Sequence, residues 1–290
     1  MKLTKLLKRA AQCWFTVLNQ LGLPFKKYGY YVPYPYARDL TTPPRLYPLK
    51  NITDLLDNNL ENFKEIILKA QKYNNVFETF NKGIKTDPLA PRFNQDWFCG
   101  IDGAVAYAIV REAKPRTIIE VGSGFSTRFL ARAVADGGLN TKIYGINPKI
   151  LCAADKLCDT FYNSTLDKVP AKLFDGLQAG DILFIDASHL FMAGTDLELL
   201  FLDIFPKLPN GVYIHLHDIF LPQNYPNDPD WNWWAFNEQQ LLAVLLSGGA
   251  YKPVFASAYM RAQHPQMLSC LFAPLHPRGL ESSFWFIKQS

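Results

Sequence analysis

The sequence predicts an α/β fold in which a doubly wound parallel sheet is covered by helices on both faces. From about residue 97, short apolar runs rich in β-branched residues alternate with segments of helical period. Runs without polar alternation are typical of parallel strands, which are buried on both faces. Of the 290 residues, 49% are hydrophobic and 19% are charged, so the chain can bury a large core and is not disordered.

An N-terminal extension, residues 1–95, is expected to precede the α/β domain at residues 96–290. Residues 3–21 carry apolar side chains at alternating steps of three and four, which predicts an amphipathic helix. A Tyr- and Pro-rich arm follows at Tyr28–Pro48, where proline favours extended or turn backbone. A helix is predicted around Thr53–Tyr73, followed by a polar linker.

Basic charge is concentrated at the start of the chain. Residues 1–50 hold nine of the 30 Lys and Arg residues and one acid, Asp39. For the basic helix at residues 2–21 we expect packing on its own domain or on a sister subunit of a homo-oligomer. Contact with an anionic membrane surface is the second interpretation. The net charge of +4 is too small to indicate nucleic-acid binding.

Cysteine usage and hydropathy predict a cytoplasmic protein. Five Cys residues without a C-x-x-C pair fit poorly with a secreted disulfide framework and favour a reducing compartment. The uncharged stretch Ala10–Phe25 follows a basic start, as in a signal peptide. However, Gln12, Asn19 and Gln20 interrupt it, and no cleavage site follows. The sequence contains no run of 18 apolar residues, so it predicts no membrane-spanning helix.

Five strands are predicted from apolar, β-branched or aromatic runs that end at turn residues or polar groups. In chain order they are Thr117–Val121, Lys142–Ile146, Asp181–Ile185, Gly211–His217 and Ser283–Lys288.

Helices are predicted between these strands from capping residues and apolar stripes. Ser126 or Thr127 is expected to cap the first, and Pro148 to begin the next. Thr195 or Asp196 is expected to cap a helix with a clear apolar stripe. Asn237, with Gln three residues later, resembles a capping box ahead of a leucine-rich helix.

The glycine loop after the first strand indicates a ligand site. Gly122 and Gly124 let backbone approach a ligand, and a helix begins directly after them. A P-loop is not favoured, because no Gly-Lys-Ser/Thr follows, and a dinucleotide fingerprint would need glycine where Thr127 stands. A purely structural tight turn is an alternative. The pattern Glu-x-Gly-x-Gly, with Glu120 inside the strand end, resembles the first motif of class I S-adenosylmethionine-dependent methyltransferases.

The resemblance extends beyond this loop. Residues 97–130, 181–222 and 237–246 are similar to a little-characterised methyltransferase family whose members read roughly IEVGSG-ST, ILFIDSSH, HDIF-P and NEQ-LL. It implies a Rossmann-like, seven-stranded, mostly parallel sheet whose final strand is antiparallel. It also implies S-adenosylmethionine as cofactor and methylation of a hydroxyl group on a small molecule or glycan.

Six residues at the strand ends are implied to hold the cofactor: Glu120, Gly122, Ser123, Gly124, Asn147 and Asp186. One of them departs from the class pattern, which has Asp or Glu at the end of the second strand, where Asn147 stands. An amide accepts one bond and donates another but carries no charge. Weaker cofactor binding is one consequence, and loss of binding in a non-catalytic relative is the other.

The chemistry is expected at Asp186, His189, His217 and Asp218, which follow two strands that should be neighbours. In one mechanism, His189 or His217 removes a proton from the acceptor hydroxyl. In the other, Asp186 with His217 or Asp218 holds a divalent metal, as the corresponding strand ends do in catechol-type O-methyltransferases. Histidine would favour Mn²⁺, Fe²⁺ or Zn²⁺ over Mg²⁺. His215, deeper in its strand, is expected to be structural.

The loop Gln223–Phe236 follows the HDIF strand and is expected to cover the pocket mouth. Stacking of a sugar or aromatic acceptor on Trp231, Trp233 or Trp234 is one hypothesis, and packing against the Tyr/Pro arm is the other. Two further functions stay open: a catalytically silent binding or scaffold protein with the methyltransferase fold, and a nicotinamide-dependent oxidoreductase.

Overall fold

The structure is a computed structural model that describes residues 47–82, 87–227 and 234–289, with Ala10, Cys13, Trp14, Val17 and Trp231. The chain forms two compact units, residues 1–46 and residues 47–290. In the first unit, the four described residues are helical. The remainder of the predicted basic helix, and the Tyr/Pro arm up to residue 46, lie outside the described residues. The predicted boundary at residue 95 stays a prediction.

A seven-stranded sheet, ordered β3-β2-β1-β4-β5-β7-β6, lies at the centre of the second unit. Strand β7 runs antiparallel to both β5 and β6, whereas the pairs from β3 to β5 are parallel. This confirms the predicted Rossmann-like sheet with an antiparallel final strand. The strands are β1 Thr117–Val121, β2 Lys142–Ile146, β3 Thr160–Tyr162, β4 Ile182–Ile185, β5 Tyr213–Leu216, β6 Tyr251–Ala256 and β7 Phe284–Lys288.

Helices surround this sheet. The described part of the second unit contains eleven α-helical segments, of which the first ten are α1 Lys50–Asn58, α2 Leu60–Gln71, α3 Asn74–Lys82, α4 Gly100–Ala113, α5 Phe125–Asp136, α6 Lys172–Asp175, α7 Asp196–Leu199, α8 Phe205–Lys207, α9 Glu238–Ser247 and α10 Ser257–Gln263. A further helix, α11, spans Pro265–Leu268, and a π-helical segment, Leu200–Ile204, joins α7 to α8. Among these described residues, no helix has the length and apolar character needed to cross a bilayer.

The structure confirms the strand predictions where a buried apolar run ends at glycine or at a polar group. Strands β1 and β2 have the predicted bounds, and β4, β5 and β7 lie within the predicted ranges. Two strands were missed. Strand β3 has only three residues, and β6 contains Pro253, beside which its pairing with β7 shifts register.

Several helix predictions were wrong in detail. The helix predicted at Thr53–Tyr73 is split between α1 and α2, and α3 occupies much of the predicted linker. Pro148 does not begin a helix. Gly124 is the N-cap of α5, and Ser126 and Thr127 lie in its first turn. Thr195 is the N-cap residue of α7, as predicted, but its side chain makes no capping hydrogen bond.

The core behind the sheet is built on helix α4, whose residues from Gly100 to Val110 are all buried. Gly103 brings this helix close to α5, because a Cβ at that position would lie 2.5 Å from the ring of Phe129. Aromatic rings from α3 fill the adjoining space: Phe77 and Phe80 pack edge-on against Tyr107. The helices before residue 100 thus complete the core of the second unit.

Asp181 ties the starts of two central strands together. Its side chain is buried, and its Oδ1 accepts hydrogen bonds from the backbone N–H groups of Arg116 and Thr117, each at 2.9 Å. Its Oδ2 accepts a third bond, from Gln178 N at 2.9 Å. Bonds from buried N–H groups to a carboxylate are among the stronger ones in proteins.

We expect Asp181→Ala to lower the free energy of unfolding by about 3 kcal/mol, because it leaves three backbone donors without their acceptor. Urea unfolding measures the change. The matched control is Asp175→Ala, which removes an exposed carboxylate in α6 and should change stability by less than about 0.5 kcal/mol. Equal stability of the two variants would contradict this account of the strand starts.

Candidate active site

The glycine loop, residues 122–124, packs against the end of strand β4. Gly122 has a φ of +92°, and a Cβ there would lie 1.7 Å from the carbonyl oxygen of Asp186. Only glycine fits this approach. Gly124 differs, since no atom lies within 4 Å of the position of its Cβ. The loop is therefore closed on the side of Asp186 and open above Gly124.

Glu120 holds this loop from behind. The residue is fully buried; its Oε1 accepts a hydrogen bond from Ser126 Oγ, and its Oε2 accepts one from Thr127 Oγ1, each at 2.6 Å. Thr127 Oγ1 in turn accepts the N–H of Gly124 at 3.0 Å. Burial raises the pKa of Glu120 to about 7, against the opposing effect of these hydrogen bonds. Glu120 does not line the cavity described next, so the structure places it as a support of the loop.

A cavity of about 760 Å³ lies over the carboxyl ends of β1, β2 and β4. We call it the glycine-loop cavity. Gly122, Ser123, Gly124, Asn147 and Asp186, all predicted as cofactor contacts, line it. The structure thus gathers five of the six predicted residues around one space.

Four carboxylates line the glycine-loop cavity: Asp167, Asp186, Asp196 and Glu198. No Lys or Arg is among the described residues that line it. The cavity therefore favours a ligand that carries positive charge over one that carries phosphate groups.

Asn147 has a structural reason to be an amide. Its Nδ2 donates a hydrogen bond to the carbonyl oxygen of Ser123 at 3.0 Å. A carboxylate in the same place would face that carbonyl with a second acceptor. The amide ties the end of β2 to the glycine loop and keeps Oδ1 as its remaining acceptor.

A second cavity of about 410 Å³ adjoins the first at Asp186 and Trp97, which line both. We call it the tryptophan cavity, because Trp97, Trp231, Trp234 and Phe236 form part of its wall. It also reaches His217, Asp218 and Arg278. Trp233, the third tryptophan of the predicted loop, lies outside the described residues.

The predicted catalytic residues lie together at the border of these cavities. His217 Nδ1 lies 3.3 Å from Asp218 Oδ1 and 3.6 Å from Asp186 Oδ1. His189 Nε2 lies 3.4 Å from Asp186 Oδ1 and 3.6 Å from Asp218 Oδ2. His189 and Asp218 both have a φ of 58°, in the left-handed region that non-glycine residues rarely adopt. Such backbone is typical of functional sites.

In this cluster, the histidines and the carboxylates stabilise each other's charged forms. Burial alone would lower the pKa of both His217 and His189, but the neighbouring carboxylates outweigh it and raise both well above the ordinary value. For Asp218, burial would raise the pKa, but the charge and hydrogen bond of His217 hold it at about 2.

His215 lies deeper in β5, as predicted. Its ring stacks on Phe184 with centroids 3.7 Å apart, and its Nε2 lies 2.9 Å from Ser283 Oγ. Burial is the largest of the effects that lower its pKa well below the ordinary value, so the ring is neutral.

Two buried carboxylates that the strand ends do not predict also contact the cluster. Asp102, on α4, lies 3.3 Å from His217 Nε2, and Glu238, the first residue of α9, lies 2.5 Å from His189 Nδ1. A signal for Asp102 was present, because it is a single acid in the apolar run CGIDGAVAYAIV, and buried acids are normally paired. Asn237, predicted as a capping box, does precede α9, but its Oδ1 accepts the N–H of Phe191 instead.

Residues 119–219 match the family model of a methyltransferase domain, and the seven-stranded, mostly parallel sheet is a Rossmann-like methyltransferase fold. Among solved structures, the chain is similar to the O-methyltransferase from Bacillus cereus in complex with S-adenosylhomocysteine. Identity is 13% and the TM-score 0.44, over 76% of this chain and 100% of that one. It is also similar to an S-adenosylhomocysteine-bound methyltransferase from Podospora anserina, at 14% identity and TM-score 0.41, over 90% and 100%. No curated protein matches the chain by sequence.

We expect the stability of the protein to fall as pH rises through about 7, because Glu120 keeps its proton in the folded state to a higher pH than in the unfolded chain. A carboxyl group whose folded pKa is raised stabilises the fold below its unfolded pKa and loses that effect above the folded one. A rise from 4.5 to about 7 corresponds to roughly 3 kcal/mol. Urea unfolding of the wild type and of Glu120→Gln at about pH 5 and about pH 8 measures this effect.

Glu120→Gln should show a smaller loss of stability between the two pH values than the wild type. The exposed Glu65→Gln is the matched control and should keep the wild-type pH dependence. If Glu120→Gln loses as much stability as the wild type, Glu120 does not titrate as described.

Proposed function

We propose that the protein transfers the methyl group of S-adenosylmethionine to a hydroxyl group of a small molecule or glycan. The observation that carries this proposal is that the glycine-loop cavity and the tryptophan cavity meet at Asp186 and Trp97. A methyl donor in the first cavity and an acceptor in the second would come together beside Asp186. His189, His217 and Asp218 lie at the same border.

The glycine-loop cavity fits S-adenosylmethionine in size and charge. Its volume of about 760 Å³ is within the range of small-molecule sites. S-adenosylmethionine carries a sulfonium and an ammonium group, which four lining carboxylates favour. A nicotinamide dinucleotide carries two phosphates instead, and the described lining residues include no Lys or Arg to pair with them. The charge of the cavity therefore disfavours the oxidoreductase alternative.

The residues around this cavity would have different roles in cofactor binding. The open face of Gly124 leaves room for a ligand against the backbone at the start of α5. Asn147 Oδ1 is available to accept one ribose hydroxyl, while its Nδ2 stays with Ser123. Glu120 acts on the cofactor only through the loop that it supports.

Asp186, His217 and Asp218 are suited to hold a divalent metal. Each offers one ligand atom, and these atoms all lie within 4.8 Å of one another. Two carboxylates and one imidazole suit Mn²⁺, Fe²⁺ or Zn²⁺. A metal ion bound there would lower the pKa of the acceptor hydroxyl. These three residues would also orient the acceptor at the border of the two cavities.

His189 is then the imidazole that accepts the hydroxyl proton. Its Nε2 faces Asp186 and Asp218, and its other nitrogen is occupied by Glu238. Positive charge placed beside Asp186 and Asp218 offsets these carboxylates and lowers the pKa of His189 toward the range of a general base. The two mechanisms expected from the sequence are thereby combined, with the metal and the base assigned to different histidines.

The tryptophan cavity supports an acceptor that contains a ring. Trp231 and Trp234 line it together with Phe236, and such faces stack on aromatic or sugar rings. His217 and Asp218, on the same wall, would meet the hydroxyl group of that acceptor.

The methyltransferase proposal predicts micromolar binding of S-adenosylhomocysteine to the wild type in calorimetric titration. Gly124→Arg should abolish this binding, because its side chain enters the open space above the loop. The matched control is Gly176→Arg, which places the same side chain at an exposed turn after α6, outside the glycine-loop cavity. This control should bind as the wild type does.

Absence of binding to the wild type would contradict the enzyme proposal and favour the scaffold alternative. Binding that survives in Gly124→Arg would place the cofactor elsewhere. In both cases the fold described above would be unaffected.

The metal assignment predicts that Asp218→Asn weakens the binding of Mn²⁺ by at least about tenfold, because it removes one of two carboxylate ligands. Electron paramagnetic resonance of free Mn²⁺ measures this affinity. His189→Gln should bind Mn²⁺ as the wild type does, since His189 is assigned to the proton and not to the metal. Equal Mn²⁺ affinity of Asp218→Asn and the wild type would refute the assignment.

A further inference from the structure

His217 and His189 present different nitrogen atoms to the same two carboxylates. In His217 the nitrogen nearest to Asp186 and Asp218 is Nδ1, and in His189 it is Nε2. Each ring therefore has an inner nitrogen, which faces the Asp186–Asp218 pair, and an outer nitrogen, which faces away from it. A neutral imidazole can bind a metal or accept a proton only through a nitrogen that carries no proton.

Asp102 lies behind His217 and can act there only as an acceptor. It is fully buried, and its Oδ1 and Oδ2 accept the backbone N–H groups of Ser283 and Ser282, at 3.1 and 3.0 Å. Oδ2 also lies 3.3 Å from the outer nitrogen, Nε2, of His217. A lone pair on that nitrogen would face a buried carboxylate oxygen without a hydrogen between them, which is costly. The contact with Asp102 therefore favours a proton on the outer nitrogen of His217.

Glu238 takes the same place behind His189. It is buried, and its Oε1 lies 2.5 Å from the outer nitrogen, Nδ1, of His189. The neighbouring backbone holds the ring in position: Asn237 N donates to the carbonyl of His189 at 3.0 Å, and Asn237 Oδ1 accepts the N–H of Phe191 at 2.7 Å. The ring of Phe236 covers the imidazole, with centroids 4.5 Å apart. These contacts hold His189 in its left-handed backbone conformation.

We propose that Asp102 and Glu238 are positioning residues that keep a proton on the outer nitrogen of each ring, so that Nδ1 of His217 and Nε2 of His189 face the Asp186–Asp218 pair. The two carboxylates come from the first turns of different helices, α4 and α9. They fix opposite tautomers in the two rings. Each histidine thereby offers its inner nitrogen to the site when it loses a proton.

This assignment deepens the proposed function and rests on it for its catalytic meaning. With His217 as a metal ligand, Asp102 would be the partner that orients the ligand from behind, a contact whose loss typically reduces metal affinity by 10- to 100-fold. With His189 as the base, Glu238 would orient the base. The location of the two protons is a property of the fold itself and can be measured without cofactor, metal or acceptor.

The direct test is a long-range ¹H–¹⁵N correlation spectrum of the full chain labelled with ¹⁵N-histidine, with no metal added. The chain has five histidines, so the spectrum is sparse. We expect two slowly exchanging imidazole protons shifted far downfield, one on an Nε2 and one on an Nδ1. Asp102→Asn should remove the Nε2 proton signal alone, and Glu238→Gln the Nδ1 proton signal alone, so that each variant is the control for the other.

Asp136→Asn and Glu112→Gln are matched controls for loss of a partly buried carboxylate. Asp136 and Glu112 accept hydrogen bonds from the hydroxyl groups of Tyr107 and Tyr73, outside the cluster. Both downfield signals should persist in these controls. If Asp102→Asn or Glu238→Gln fails to fold, the wild-type spectrum alone tests whether the outer nitrogens carry these protons. Absence of a downfield proton on Nε2 of His217 or on Nδ1 of His189 in the wild type, or survival of both signals in the folded variants, would overturn the proposal.

Mn²⁺ and S-adenosylhomocysteine titrations separate this proposal from the proposed function. Asp102→Asn should weaken Mn²⁺ binding by about 10- to 100-fold, and Glu238→Gln should leave it unchanged. Both should bind S-adenosylhomocysteine as the wild type does, because neither residue lines the glycine-loop cavity. If the wild type binds neither probe but shows both downfield protons on the stated nitrogens, the proposed function fails and the positioning of the two rings stands.

Discussion

The approach of the β1 end to the β4 end at Gly122 is the constraint on which the site depends. The backbone of Asp186 occupies the place where any other residue at position 122 would put its Cβ. This approach sets the glycine loop and Asp186 side by side, and parallel pairing of β4 with β5 adds His217 and Asp218 at the same edge. The two cavities share a border because three strand ends converge there.

The sequence was sufficient to predict secondary-structure elements whose bounds are marked by neighbouring residues in the chain. Strands β1 and β2 are apolar runs that end at Gly122 and Asn147, and their bounds could be predicted from those residues alone. Strand β6 could not be predicted in this way, because a proline such as Pro253 argues against a strand interior. The structure places β6 at the edge of the sheet, where the missing N–H of Pro253 is tolerated. The helix starts were misplaced where glycine, which has no side-chain signal, provides the cap, as at Gly124.

For the site, the strand-end rule located the residues that lie on neighbouring strands but not those that approach from helices. Asp186, His217 and Asp218 follow β4 and β5, so their proximity follows from strand order. Asp102 and Glu238 are 115 and 49 residues away from their histidine partners in the chain. Their pairing depends on which helix start packs behind which strand end. That is decided by packing of the whole core, for which no residue pattern in the sequence is diagnostic.

Strand β7 has a consequence for the order in which the protein is assembled. It lies between β5 and β6 inside the sheet, although it is synthesised last of the seven. Ser282 and Ser283, directly before it, supply the backbone groups that bind Asp102. During translation, β6 therefore has no partner in the sheet, and Asp102 has no backbone donors, until residues 282–288 have left the ribosome. Until β7 joins the sheet, β5 has one unpaired edge and the carboxylate of Asp102 lacks the N–H groups of Ser282 and Ser283.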